Sequence, residues 1–164
     1  VHVGGTLDEI HRAEASVVAG TMPKRPFVLA CQQQLADASR AKSGHVLWAY
    51  THVPRGYDEP EPGYVEHLVT AQIERFAPGF ASRVVDAHRT TASDLEWWNP
   101  NLVGGDIAGG SMAGLQALLR PGLSLAPYTL STRRIYLASA ATPPGAGVHG
   151  MAGAGAARAV IRDA

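Results

Sequence analysis

The feature that most constrains the fold is a glycine-rich run near the C-terminal end, with five glycines between positions 145 and 155. The apolar run Ile135–Ala140 precedes it and predicts a buried strand. A helix of small residues is predicted to follow over Gly150–Arg162. The first N–H groups of a helix lack internal partners and carry about half a positive charge. This strand, loop and helix therefore favour an anion or a dipole at the loop.

The glycines inside the predicted terminal helix need an explanation. Gly150, Gly153 and Gly155 fall in or near its first turns, and each glycine in a helix interior costs about 1 kcal/mol relative to alanine. Close packing against a strand or against a cofactor would offset that cost. The residues leave both explanations open, because a glycine-rich loop alone is weak evidence for a ligand.

The N-terminal part of the chain predicts a strand, a capped helix and a hairpin. Val1–Val3 is a short predicted strand, and Thr6 with Glu9 forms a capping box that opens a helix. Two further strands, Phe27–Leu35 and His45–Val53, are predicted to pair as an antiparallel hairpin with a long loop.

The middle of the chain predicts two helices and a strand. Tyr64–Phe76 carries apolar residues at helical spacing on one face, which is typical of an amphipathic helix. Arg83–Arg89 is a predicted strand. Ser93 is predicted to cap a short helix that Asn99 and Pro100 end.

The third part, Leu102–Gly122, is rich in glycine and predicts irregular structure with a short helix near Leu115–Leu119. A candidate boundary lies near Arg133, where the pattern changes to a single strand, loop and helix. We therefore predict a mixed α+β fold. Residues 1–134 would form an antiparallel hairpin-containing sheet with flanking helices, and residues 135–164 the terminal strand, loop and helix.

Composition excludes several classes of protein. The 164 residues are 46% apolar and 17% charged, with a net charge of zero, so nothing favours nucleic acid or an anionic membrane. The single cysteine, Cys31, excludes a disulfide scaffold. No apolar run is long enough for a transmembrane segment. The low charged fraction suggests a surface covered by a partner chain, a missing domain or a ligand. A homo-oligomer is left open.

The seven histidines do not predict a metal site. His45 and His52 are an odd number of positions apart, so on a regular strand they face opposite sides. No His-x-x-x-His or Cys-x-x-Cys spacing occurs in the sequence. We expect no resident metal.

The terminal motif Ile135–Arg158 resembles the C-terminal signature of the phytoene desaturase-like, amine-oxidase-related FAD oxidoreductases. Four other stretches resemble that family in the family's order: Val1–Ile10, Gly44–Pro54, Ile73–Phe80 and Asn99–Gly110. The resemblance implies that residues 1–134 form the substrate-side region of an oxidoreductase. It implies that residues 135–164, the last strand, loop and helix, complete a Rossmann-like FAD domain. It also implies a reaction in which hydride moves between a hydrophobic small-molecule substrate and FAD. The cofactor would then carry the chemistry, with no catalytic side chain.

The resemblance also implies the site residues. The cofactor-binding group would be Gly147, Val148, His149, Gly150 and Met151 at the flavin, acting mainly through their backbone, with Ser139 and Ala140 near the ribityl or pyrophosphate part. His149 would contact flavin or substrate, or simply cap the loop. Gly104, Gly105 and Asp106 would lie near the flavin or the substrate channel, with a helix-capping or turn-forming role as the alternative for Asp106.

Four aromatic residues are candidates for a substrate pocket. Trp48 and Tyr50 lie on one face of a predicted strand, as expected for a core or for a pocket wall. Trp97 and Trp98 would line an apolar channel or, alternatively, pack the short helix that carries them.

The chain departs from the family in one important respect. The family's N-terminal βαβ unit, with Gly-x-Gly-x-x-Gly and a downstream acidic residue, is absent. We therefore expect half of a flavin site. The isolated chain should be inactive and bind FAD weakly or not at all, and it should need the missing half or a partner chain. A cytoplasmic location is expected, with peripheral membrane attachment as the alternative.

Two alternatives to the enzyme hypothesis remain. One is a non-catalytic truncated paralogue that acts as a protein-association module. The other is that the terminal helix, at Gly150, binds a phosphate-containing ligand other than FAD.

Overall fold

The computed structural model describes residues 1–117, 119–132 and 134–164. It confirms the predicted mixed α+β class, with helices and one three-stranded antiparallel sheet in the described residues. The chain divides into two compact units, Val1–Ala92 and Ser93–Ala164. This boundary is different from the predicted functional one, which separates a substrate-side region, residues 1–134, from the segment 135–164 that would complete an FAD domain. The functional boundary stays a prediction.

The sheet of the first unit is smaller than its sequence predicts. Its strands are β1 (His2–Val3), β2 (Val28–Cys31) and β3 (Trp48–Thr51), in that order across the sheet and antiparallel throughout. The predicted hairpin is confirmed, but both of its strands are shorter than predicted. The first ends early because residues 33–35 turn as a 3-10 helix.

The predicted capping box opens helix α1 (Leu7–Val18). Thr6 Oγ1 accepts a hydrogen bond from Glu9 N at 3.2 Å, and Glu9 Oε2 accepts one from Thr6 N at 2.9 Å. The other carboxylate oxygen of Glu9 accepts from Arg75 at 2.6 Å and from Arg25 at 3.3 Å. The N-terminus of α1 is thereby joined to two more distant parts of the unit.

Helix α2 (Tyr64–Phe76) has the predicted bounds and contacts all three strands. Its Leu68 and Ile73 are buried, as are Val28 and Ala30 of β2. Gln72 is also buried, and its Nε2 donates to the carbonyl of Val3 at 3.3 Å. These contacts form the core of the first unit.

The strand predicted over Arg83–Arg89 is wrong. Residues 81–83 form a 3-10 turn whose start is fixed by Glu74, which accepts from Gly79 N at 2.6 Å and from Ala81 N at 2.7 Å. The residues that follow pair with no strand, and Val85 is 99% exposed. An isolated segment without a neighbouring strand has no ladder to join.

The second unit contains helix α3 (Ala92–Trp98), 3-10 turns at residues 103–105 and 114–117, and helix α4 (Met151–Arg162). Helix α3 includes Ser93, so the prediction of a cap at that residue is wrong. The short helix predicted at Leu115–Leu119 is the second of these 3-10 turns, and its residue 118 lies outside the described residues, as does residue 133.

The predicted buried strand Ile135–Ala140 is also wrong. In the part of the chain that the structure describes, a single antiparallel bridge forms there, between Thr129 and Tyr136. Ile135 is about half exposed, at 49%. The run bends at its end, where the carbonyl of Ser139 accepts from the N–H of Thr142 at 3.0 Å. A single bridge does not form a sheet. The glycine loop therefore follows the turn at residues 139–142 and not a strand.

None of the helices in the described ranges is both long and apolar enough to cross a bilayer.

Candidate functional site

The N-terminal end of α4 is exposed at Gly150, Met151 and Gly153. Its N-cap residue, Gly150, has φ 64° and offers no side chain to cap the helix. Met151 N donates to His149 Nδ1 at 3.0 Å, and Ala154 N donates to the carbonyl of Gly150 at 3.1 Å. Within the described residues, the N–H groups of Ala152 and Gly153 find no acceptor. Two donors at the positive end of the helix are therefore available.

The glycines of this region have different explanations. The Tyr128 ring lies directly on Gly155, where a Cβ would come within 2.6 Å of Tyr128 Oη. Gly153, by contrast, has no atom within 4 Å of the position a Cβ would take. Close packing therefore explains Gly155, but it does not explain Gly153.

The His149 ring lies at the start of α4, where it binds a backbone N–H of the helix. Its predicted roles, a contact with flavin or substrate or a cap of the loop, stay predictions. Because Nδ1 accepts from Met151 N, the ring proton lies on Nε2 in this tautomer. The same ring folds toward Gly147, where a Cβ would lie 2.9 Å from Nε2. Val148 and Met151 are exposed beside it.

Ser139 and Ala140 lie in a hydrogen-bonded turn. Ser139 Oγ accepts from Ala141 N at 3.1 Å, and its carbonyl accepts from the Thr142 hydroxyl at 2.8 Å. The carbonyl of Ala140 accepts from Arg120 Nη2 at 2.7 Å. Sequence reasoning missed Arg120, although it is the only charged residue between Asp106 and position 133.

Asp106 forms the turn that was its alternative role. Its carboxylate accepts from Ala108 N at 2.7 Å and from Gly110 N at 2.6 Å. Gly104 and Gly105 precede it with φ 65° and 75°, values that glycine adopts readily. Their predicted place near the flavin or the substrate stays a prediction.

Trp48 and Tyr50 lie in the first unit and form an aromatic row with His52. The ring centroids are 5.3 Å apart for Trp48 and Tyr50 and 5.9 Å apart for Tyr50 and His52. His52 Nδ1 is 2.8 Å from a carboxylate oxygen of Glu14. Trp48 is 49% exposed, so the row lies partly open on the sheet.

Trp97 and Trp98 of α3 are exposed, at 86% and 77%. No residue of α3 is buried, and the alternative that these side chains pack the short helix stays a prediction. Their predicted place in a substrate channel stays untested.

Gly145, Gly147 and Gly150 have the Gly-x-Gly-x-x-Gly spacing of a dinucleotide fingerprint, which sequence reasoning missed. All three precede α4, and among the described residues no strand leads into them. A dinucleotide fingerprint needs a strand before it and a helix opening within it. The spacing alone therefore does not make this loop a dinucleotide-binding fingerprint.

Among the described residues, no group of three or more His, Cys, Asp or Glu side chains could hold a metal ion.

Comparison with known proteins gives one relationship. No family model matches the chain, and no solved structure matches it. The chain is 31% identical over 163 residues to pyridine nucleotide-disulfide oxidoreductase domain-containing protein 2 of Rattus norvegicus, and it matches the Mus musculus protein of the same name equally well. Each alignment covers 94% of this chain but 28% of the relative. The chain thus spans under a third of these relatives, and the similarity supports a relationship to a broad oxidoreductase family.

Proposed function

We propose that this chain contributes the flavin-closing part of an FAD-dependent oxidoreductase of the phytoene desaturase-like type. The observation that carries the proposal is the N-terminus of α4. It combines a glycine cap, available N–H groups at Ala152 and Gly153, and open space above Gly153. The name of the rat and mouse relatives, which refers to an oxidoreductase domain, agrees with it.

The residues present fit the electron-rich edge of a flavin ring. Two N–H donors and the positive end of α4 would stabilise negative charge at that edge. Gly153 would let a flat ring approach the backbone, since any side chain there would fill the space. When bound, FAD supplies the capacity to accept or donate hydride. The chain's own contribution is binding, orientation and a fixed electrostatic field.

His149 has a definite part in this proposal. Its Nδ1 is used by Met151 N, which leaves the Nε2 proton available as a donor. A donor beside the helix terminus would add to the field acting on a bound ring. The side chain would bind and orient, without transferring a proton.

The proposal describes half of a binding site. A dinucleotide cofactor also needs a glycine turn between a strand and a helix for its pyrophosphate, and an acidic residue for its ribose. The described residues contain no such strand, turn and helix. We therefore propose that the missing half comes from another domain or a partner chain, and that FAD binds this chain weakly.

The substrate side is proposed from the exposed aromatic residues. The partly open row that includes Trp48 and Tyr50 offers flat apolar surface with a polar edge. Trp97 and Trp98 offer more of it on α3. Surfaces of this kind favour a hydrophobic substrate.

The test is to titrate the isotope-labelled chain with FAD and to record the NMR signals of its backbone amides, because this measurement detects weak binding. We expect shifts concentrated at the amides of residues 150–153, and none of that pattern with ADP, which lacks the ring. Gly153→Leu should abolish the response by filling the open space. Ala157→Leu, at another exposed position of α4, is the matched control and should retain it. Equal shifts with ADP and FAD would instead support a phosphate ligand, and no shift at α4 would contradict the proposal.

A second candidate, a non-catalytic association module, is favoured by one observation. Large apolar side chains lie exposed in the second unit, among them Leu123 at 88% and Leu125 at 107%. Such side chains are common at interfaces. Sedimentation of the chain over a range of concentrations tests it. Self-association that Leu125→Ser abolishes, together with no FAD response, would favour the module.

A further inference from the structure

The cation of Arg120 is buried in the second unit and bound almost entirely by carbonyl groups. The residue is 2% exposed. Its Nη1 donates to the carbonyls of Gly110 and Ser111 at 3.1 and 2.8 Å. Its Nη2 donates to the carbonyls of Ala108 and Gly109 at 2.7 and 3.2 Å, and to that of Ala140 at 2.7 Å.

These acceptors belong to two segments that are distant in sequence. Four lie on consecutive residues of the turn 108–111, and the fifth lies on Ala140. The same segments also touch directly, because a Cβ on Gly109 would lie 2.8 Å from Ala141 N. A guanidinium group has five N–H donors in a fixed plane, which suits several acceptors at once.

Asp106 binds the same turn as Arg120 through different backbone groups. Its carboxylate binds the N–H groups of Ala108 and Gly110, while Arg120 binds the carbonyls of the same residues. The two charged groups form no ion pair with each other. The carboxylate thus binds N–H groups of the turn, and the guanidinium group binds its carbonyls.

Burying a charge is costly unless it is well bound. Arg120 makes no ion pair with a described carboxylate, and its buried Nε has no partner. Carbonyl dipoles are therefore the groups that compensate the cation. Burying a cation costs free energy that an apolar side chain in the same space would not cost. The buried guanidinium group therefore favours a role in holding the turn 108–111 and Ala140 in one relative position.

We propose that Arg120 is the positioning residue of the candidate site. Its guanidinium group is a built-in cation that clamps the turn 108–111 to Ala140, from which the glycine loop runs to α4. The clamp stands on the contacts alone, whereas its role toward flavin rests on the proposed function.

Amide hydrogen exchange tests the clamp in the 164-residue chain. Arg120→Lys keeps the charge but cannot reach five carbonyls, so exchange at Gly110, Thr142 and Gly145 should become at least about tenfold faster. Amides of α2, in the other unit, serve as the internal reference. Arg158→Lys, at an exposed position of α4, is the matched control and should change none of these rates. Unchanged exchange in Arg120→Lys would overturn the clamp.

Rescue separates a bound cation from simple packing. Arg120→Ala should regain slow exchange at these amides with millimolar guanidinium, and urea at the same concentration should not restore it. Equal rescue by urea, or none by guanidinium, would contradict a site for a cation. If the amides of α4 lose all protection from exchange in Arg120→Ala, the second unit has unfolded in that variant. The exchange rates of Arg120→Lys then decide whether the clamp exists.

The FAD titration tests the role toward flavin. Where the wild-type chain responds to FAD, Arg120→Lys should weaken the response at residues 150–153 by at least about tenfold in apparent affinity. An unchanged response beside faster exchange would overturn the positioning role and leave the clamp. A wild-type chain that does not respond would overturn the proposed function and the role toward flavin, while the exchange measurement still judges the clamp.

Discussion

The ring of Tyr128 lies on Gly155 of α4 so closely that a Cβ there would come within 2.6 Å of Tyr128 Oη. The same hydroxyl donates to the carbonyl of Pro143 at 3.0 Å. Tyr128 thus joins α4 to the segment that leads into the glycine loop. Gly155 is required by this contact, whereas a Cβ at Gly153, two residues earlier, would meet no atom within 4 Å outside the helix's own backbone.

Alanine at these two glycines should have opposite effects on stability. Gly155→Ala should lower the free energy of unfolding of the second unit by about 1–3 kcal/mol, because the added methyl overlaps the Tyr128 ring. Gly153→Ala should raise it by about 0.5–1 kcal/mol through helix propensity. Urea unfolding followed at α4 amides measures both. A stabilising Gly155→Ala would show that the ring moves aside at little cost.

The glycine pattern shows how far the sequence could be interpreted. It correctly predicted a helix with an unusual N-terminus, because small residues and glycines at that spacing leave few other structures. It could not assign each glycine, since the decisive partner, Tyr128, is 27 residues from Gly155 and their contact depends on the fold. Arg120 escaped notice for the same reason. Its role depends on five carbonyls, and a sequence does not indicate where carbonyls point.

Gly109 should tolerate alanine less well than its neighbour Gly110. Both have positive φ, 69° and 106°, so any side chain strains the backbone. Gly109 also faces Ala141, with a Cβ position 2.8 Å from Ala141 N, while Gly110 has nothing within 4 Å. We expect Gly109→Ala to lose at least about 1 kcal/mol more than Gly110→Ala. Equal losses in thermal unfolding would mean that backbone strain alone decides.

The stability of the first unit should depend on pH through Glu9. Hydrogen bonds from Thr6 N and then from Arg75 lower its carboxyl pKa from 4.5 to about 2. Because the pKa is depressed in the folded state, the stabilisation is complete above about pH 5 and is lost as the pH falls from 4.5 toward 2.

Glu9→Gln isolates this contribution. The difference in Tm between wild type and this variant should be constant above pH 5 and should close between about pH 4.5 and 2. Asp8→Asn, which removes the neighbouring exposed carboxylate, is the control and should not reproduce the closure. A difference that persists at pH 2 would show that shape, not charge, makes the contact.

The strand predictions failed where the sequence had apolar residues but the fold had no neighbouring strand. Arg83–Arg89 and Ile135–Ala140 both alternate or cluster in a way that is typical of strands. Strands are stabilised by pairing, and neither segment finds more than one bridge. The helices were predicted better because their hydrogen bonds are local. Tyr64–Phe76 has the predicted bounds, and the Thr6 cap forms as expected.

The exposed tryptophans of α3 should contribute little to the stability of the chain. Because Trp97 and Trp98 are 86% and 77% exposed, replacing either by alanine should change the free energy of unfolding by less than about 0.5 kcal/mol. Val28→Ala, at a fully buried position of β2, should cost at least about 1 kcal/mol and is the reference.

A tryptophan that can be removed without cost to folding is available for binding. Quenching of its fluorescence by an apolar ligand, in wild type but not in the Trp97→Ala, Trp98→Ala double variant, would place the ligand there. A large loss of stability would instead return these side chains to a packing role.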